Sequence, residues 1–207
     1  MRLNLLLVFL LLPLAALAGP PLPEPGVLYV ARDPAAIAMH ARPGDNARFR
    51  SNLNARIRKN PKDSFALVHR AYLLHASGDI EEGDRDFRRV LTLPEGDPVN
   101  RRRALWSLGW SAYNRGEPAA AVEYWGQAAE AFGRPASWYP YTVAVGLWAQ
   151  GEREAALAWY DAAARSQPDW REAGGVAERT RHWREPERSA IVALFEAWSR
   201  GAAAPAG

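Results

Sequence analysis

Three stretches of the chain share one frame. "LLHASGDIEEGDRDFRRV" turns at Gly78, "SAYNRGEPAAAVEYWGQA" at Gly116 and "LWAQGEREAALAWYDAA" at Gly151. In each, a helical run meets a glycine, then an acidic residue (Asp79, Glu117, Glu152), then a second helical run. Five residues after the glycine stands a small residue, Gly83, Ala121 or Ala156. Nine residues after it comes an aromatic one, Phe87, Trp125 or Tyr160, and twelve after it a smaller apolar one, Val90, Ala128 or Ala163. Small residues let helix backbones approach closely, and one large ring fills the wedge that remains. The turns lie 38 and 35 residues apart. A helix, a turn and a helix at that period predict stacked hairpins, each burying its apolar face against a neighbour.

Apolar spacing is helical through most of the remaining chain. Phe49, Leu53 and Ile57 recur on one face of residues 46–59, and Asn60-Pro61 ends that helix. Further helices are expected over 64–77, 80–93, 99–115, 118–132, 137–150, 152–166, 170–183 and 186–200, with no strand among them. Before them, four prolines within "GPPLPEPG" favour an extended tether. "VLYV", Val27 to Val30, has β-forming residues without an evident partner. Asp33-Pro34 is suited to open a short helix, which Pro43-Gly44 would break.

The repeated frame resembles the tetratricopeptide repeat, a 34-residue helix-turn-helix unit. The middle unit supplies Leu105, Leu108, Gly109, Ala112, Gly116, Ala121, Trp125 and Ala128 at the family's positions. The third supplies Val143, Ala144, Leu147, Gly151, Ala156, Tyr160, Ala163 and Pro168. The first has Leu67, Ala71, Leu74, Gly78, Gly83, Phe87 and Val90, but carries Arg70 where the family usually has leucine. The resemblance implies an all-α fold, a right-handed α-superhelix of helix-turn-helix units. The expected organisation is a leader over 1–18, a proline-rich segment and linker over 19–45 and a flanking helix over 46–63. Three repeat units over 64–168 follow, then a degenerate unit or cap over 169–200 and a disordered tail over 201–207.

In this family the first helix of each unit lines the concave side. The resemblance therefore implies a groove built from Phe65, Val68, Tyr72 and His75 in the first unit. The second unit would add Arg103, Trp106, Trp110 and Tyr113 with Asn114 beside them, and the third Trp138, Tyr141, Val145 and Trp148. Most of these are aromatic or histidine, and large apolar patches that stay exposed usually mark binding sites. The expected function is a non-enzymatic scaffold that holds a peptide or protein segment in that groove. The alternatives are a glycan-binding module, since sugars stack on tryptophan, and an accessory subunit of an envelope enzyme complex. Two other arrangements stay open. A narrow superhelix would pack these rings against one another, and "PPLPEP" could fold back into the groove.

Other features point away from chemistry. Without a cysteine, the chain has neither disulfides nor thiolate metal sites. The four histidines are scattered at spacings that suit no metal, so no cofactor is expected. Ser107, Ser111 and Ser189 stand in no nucleophile motif, and there is no glycine-rich phosphate loop. The acidic run from Asp79 through Glu81, Glu82, Asp84 and Asp86 is expected to be a solvated helix start, where the dipole favours negative charge. Arg101, Arg102 and Arg103 are expected along a solvated helix edge.

Arg2 precedes fourteen apolar residues, Leu5 to Ala18, which end in the small-x-small pattern Ala16-Leu17-Ala18. The run is short for a membrane span of about 20 residues. It predicts export with cleavage after Ala18, most simply to a bacterial-type periplasm, with an uncleaved anchor as the alternative. Removing that leader leaves 25 basic residues against 23 acidic ones. Such a balance makes nucleic acid an unexpected partner.

Overall fold

The computed structural model of the protein describes residues 21–36, 46–94 and 97–203. Over these the chain is all-α. Its helices are α1 (Asn46–Lys59), α2 (Ser64–Ser77), α3 (Ile80–Leu91), α4 (Pro98–Asn114), α5 (Pro118–Phe132), α6 (Tyr139–Gln150), α7 (Arg153–Ser166), α8 (Ala173–Thr180) and α9 (Glu185–Ala203), with a 3-10 turn at Pro168–Arg171. The expected leader and its cleavage point, the break at Pro43-Gly44 and the end of the tail lie outside the described residues. Among those described, no helix is long and apolar enough to cross a membrane.

From α1 to α7 each helix packs on the next, and α2 also touches α4. The three glycine turns close in the same way. Gly78 N–H donates to the His75 carbonyl and Asp79 N–H to that of Leu74. Gly116 and Glu117 donate to Tyr113 and Ala112, and Gly151 and Glu152 to Trp148 and Leu147. The glycines stand at φ of +90°, +78° and +85°. A side chain there would be strained, so glycine is what lets each helix end and the next begin two residues later.

The repeated positions make the core. Phe87, Trp125 and Tyr160 are fully buried, as are Ala121, Ala128, Ala156 and Ala163. The need for a small residue is sharpest at Gly109. A Cβ there would sit 2.2 Å from Trp125 Nε1. The indole thus lies flush on the α4 backbone, and its Nε1–H donates to the Trp106 carbonyl at 3.3 Å.

Three charged groups sit differently from expectation. Asp84 and Asp86 are buried rather than solvated, because the α3 face that carries them packs on α2 and α4. Asp86 answers Arg70, the residue that stands where leucine is usual. Arg70 Nε and Nη2 donate to its two carboxylate oxygens at 2.6 and 2.7 Å, and Nη1 donates to Asn54 Oδ1. Such a two-pronged pair supplies the direction and charge match a buried guanidinium needs. Arg102 is also buried, and its Nη2 donates to Asp33 Oδ1 at 3.2 Å.

Asp33 belongs to an N-terminal segment that is extended but docked. The Pro21 carbonyl accepts from Trp159 Nε1 at 2.7 Å. Tyr29 is buried with its ring 5.7 Å from Trp159 and 6.3 Å from Tyr139. Ala31 pairs with the α5–α6 connection, donating to the Pro135 carbonyl while Ser137 N–H donates back to it. The one isolated parallel bridge thus falls at Ala31, just after the β-forming stretch Val27 to Val30. At Asp33 one turn forms, with Oδ1 accepting from Ala35 N–H. Pro21 rests on Trp159, so the start of this segment lies on α7 rather than in the expected groove.

The C-terminal unit departs from two regular helices. The expected helix over 170–183 is split into the 3-10 turn and the short α8. A Cβ on Gly175 would lie 2.1 Å from the Asp169 carbonyl oxygen, a close approach that folds the chain back on itself at this point. α9 then packs on α6 and α7 through Ile191 and Leu194. It runs on to Ala203, so the first three residues of the expected tail are helical.

Candidate functional site

A cavity of about 740 Å³ opens where α2 and α4 face the connection between α8 and α9. Tyr72 and His75 come from α2. Trp106, Ser107, Trp110, Ser111 and Asn114 come from α4, at spacings that keep them on one helical face. Tyr141 of α6 and Ala36 of the N-terminal segment close one wall. Arg179, His182, Trp183, Arg184 and Glu187 arrive from the C-terminal unit.

Of the thirteen expected groove residues, six border this cavity: Tyr72, His75, Trp106, Trp110, Asn114 and Tyr141. The other seven do not. Phe65 is exposed on the outside, with His69 4.0 Å away and the Arg56 guanidinium over its ring. Arg103 donates to Asn100 Oδ1. Tyr113 packs between Trp110 and Trp125. Trp138 is 4% exposed, because α6 begins one residue later and leaves it in the buried connection. Trp148 lies under the Arg153 guanidinium at 3.7 Å. Val68 and Val145 are fully buried. α9 lies against α6, so much of the face expected to be open in the third unit is covered.

The rings interlock. Trp110 meets Trp106, Trp125 and Trp183 edge to face, with centroids 6.1, 4.9 and 5.2 Å apart. Such pairs are worth about 0.5–1.5 kcal/mol each beyond area burial. Trp110 is therefore rooted in the core through Trp125 while its half-exposed remainder faces the cavity. Trp183 also meets Tyr141 at 5.6 Å, so one ring of the C-terminal unit bridges α4 and α6. Burial pushes the Tyr141 phenol up to about 12. Burial and the Glu187 charge do the same to Tyr113. Both hydroxyls stay neutral across the physiological range.

Beneath one wall lies a polar knot. Asp84 accepts from His75 Nε2 at 2.9 Å, from Ser111 Oγ at 2.8 Å and from Arg115 Nη1 at 2.5 Å. Burial alone would raise the carboxyl. The hydrogen bonds from His75, Ser111 and Arg115, with the His75 charge, outweigh it and hold Asp84 below the ordinary carboxylate value. Because a carboxylate only accepts, His75 donates to it from Nε2. Opposite, Glu187 Oε1 accepts from Asn114 Nδ2 at 2.7 Å and Oε2 from Arg184 N–H at 3.1 Å. The second bond closes the start of α9 in the manner of a capping box. On the outer side, burial and the charges of Arg103 and Arg56 lower His69 to about 4. His69 is thus a neutral ring within the Phe49–Phe65 patch.

No protein-family model matches this chain, and no curated protein matches it. The site therefore rests on its own geometry. The residues that the sequence did not indicate include Ala36, Ser107, Ser111 and Arg115 and those of the C-terminal unit. "RHWREPE" held a signal, since Trp183 is a large ring among charges at the break between two helices. A tryptophan there needs a partner elsewhere, and that partner is Trp110.

Proposed function

We propose that the chain is a non-enzymatic interaction scaffold of the tetratricopeptide type, a right-handed superhelix that binds an extended peptide segment of a partner protein. The single observation that carries this reading is the aromatic cavity at α2, α4 and the C-terminal unit. Its volume lies within the ~300–1,000 Å³ typical of ligand sites. Trp, Tyr and Arg predominate on its walls, the residue types that supply binding energy at interfaces. The three matching glycine turns and the buried small-aromatic-small positions support the repeat assignment. Extended apolar or proline-containing segments suit such walls, because rings offer flat faces to a chain with few donors to satisfy.

Panning a displayed-peptide library on the chain tests the reading. Peptides enriched on the wild type and lost on Trp110→Ala support it. Trp110→Ala should weaken the enriched peptide by at least about 1–2 kcal/mol in a calorimetric titration. It should cost less stability than Trp125→Ala, since part of its ring faces the cavity. If Trp110→Ala unfolds the domain as badly as Trp125→Ala, the aromatic stripe is core and the reading fails. Enrichment of oligosaccharides instead, on a glycan array, would favour the carbohydrate alternative.

The proposed setting is the cell envelope. Ala16 and Ala18 flank the cleavage point, so the mature chain should begin at Gly19. N-terminal sequencing of protein recovered from its native compartment checks this. A stable membrane-held form that retains Met1 would overturn export in soluble form.

A further inference from the structure

We propose that the cavity receives a cationic side chain, a lysine-type ammonium carried by the bound segment. This rests on the peptide-binding reading above. Glu187 is the starting point. It is only 8% exposed, and among the described residues it forms no ion pair. Its hydrogen-bond partners are neutral donors, the Asn114 amide and the Arg184 backbone N–H. A buried carboxylate is ordinarily paired with a cation. Here the position a cation would take is open cavity bordered by Trp106, Trp110, Tyr141 and Trp183. Ring faces attract an ammonium, most strongly when it is desolvated.

Asn114 has the same sense. Asn114 spends its amide N–H bonds on the Trp110 carbonyl and on Glu187. His75 and Ser111 donate to Asp84. What Asn114 and Glu187 still offer is Asn114 Oδ1 and the Glu187 carboxylate, both acceptors, while the buried Trp106 Nε1–H is a donor left without a partner. An ammonium brings three donors and no acceptor, which matches those two acceptors. The arginines at the cavity do not cancel it. Arg115 is held by Asp84 and Glu117, and Arg179 by Asp169. Arg184 is exposed, where water and salt screen it. The apolar stem of a lysine would lie along the indole faces, as such stems do on apolar surfaces elsewhere.

The test uses four probes on the mature chain. Three are blocked five-residue peptides with proline on both sides of a central lysine, norleucine or glutamate. The fourth is n-butylammonium, which carries the cation without a peptide. Tryptophan emission and calorimetry report binding. The lysine peptide should bind at least about tenfold tighter than the norleucine peptide, the order a desolvated cation on aromatic rings supplies. Glu187→Gln should remove that preference and leave the chain folded with a slightly lower thermal midpoint, since the glutamine carbonyl oxygen keeps the capping bond while the bond from Asn114 is lost. Equal binding of lysine and norleucine peptides, both weakened by Trp110→Ala, would overturn the cation site and leave the peptide reading intact. Tightest binding of the glutamate peptide would likewise overturn it. Binding of n-butylammonium that depends on Glu187, with no peptide bound, would keep the cation site and end the peptide reading. No binding by any probe ends both.

Discussion

Replacing Trp125 with alanine should lower unfolding stability by about 3–5 kcal/mol, the cost of truncating a fully buried aromatic. That is a large share of the ~5–15 kcal/mol that holds an ordinary domain together. The side chain has no exposure. It touches Trp110 and Tyr113, lies against the backbone at Gly109 and reaches within 3.3 Å of where a Cβ on Gly146 would be. With α4 and α6 both set against one ring of α5, the surroundings can collapse only partly into the space it leaves. Gly109 provides the cross-check. In the wild type Gly109→Ala should destabilise, because the new Cβ overlaps the indole at 2.2 Å. In a Trp125→Ala background the clash is gone. There the same change should be neutral or stabilising, since alanine favours a helix over glycine by about 1 kcal/mol. Urea midpoints of the four proteins give the coupling. Simple additivity would show that Gly109 and Trp125 do not share a contact and that the register derived from the glycine turns is wrong.

That register was legible because it depends on local geometry. A turn glycine, a small residue five positions on and a ring nine positions on are fixed by helical spacing, and the resulting contacts lie within one hairpin. The helix bounds followed for the same reason: residues 64–77 and 118–132 match α2 and α5. The arrangement of Gly109 under Trp125 needs only two neighbouring helices to be predicted. The docked N-terminal segment was not legible. Tyr29 meets Ser166 across 137 positions, and Asp33 meets Arg102 across 69. Nothing in the local pattern of either partner specifies the other.

The candidate site divides along the same line. Trp106, Trp110 and Asn114 share a face because of their spacing on one helix, and they do border one cavity. Trp138 and Trp148, the counterparts of Arg103 and Tyr113 in the expected frame, do not border it: the first precedes its helix and the second is capped by Arg153. The C-terminal unit changed the outcome most. In a regular stack α6 would show its inner face to solvent. Here α9 and Trp183 lie across it, so the open groove expected from the repeat is closed at one end into a cavity. An open cavity and rings packed on one another both occur, and Trp110 takes part in each.

Asp84→Ala should cost about 3 kcal/mol near neutral pH, the lower end of what breaking a buried charged pair removes, since Arg115 and His75 keep some access to water. The carboxylate ties α3 to α2 through His75 and to α4 through Ser111 and Arg115. Arg88, 3.6 Å away, is the other charge facing it. Without Asp84, three donors lose their acceptor at once, although Arg115 keeps Glu117 and still donates to Ser111 Oγ. The pH dependence follows from the direction of its shift. The folded carboxyl titrates below its ordinary value of 3.8, so the unfolded chain takes up a proton first as pH falls. The stabilisation is fully present above 3.8 and is lost as pH drops through the lower folded value. The stability gap between wild type and Asp84→Ala should therefore stay constant from neutral pH down to that point and shrink below it. Urea midpoints of both proteins across an acid series would show this convergence. A gap that keeps its full size to the lowest pH at which both still fold would mean that Asp84 contributes through packing alone, with its charge irrelevant to what joins the three helices.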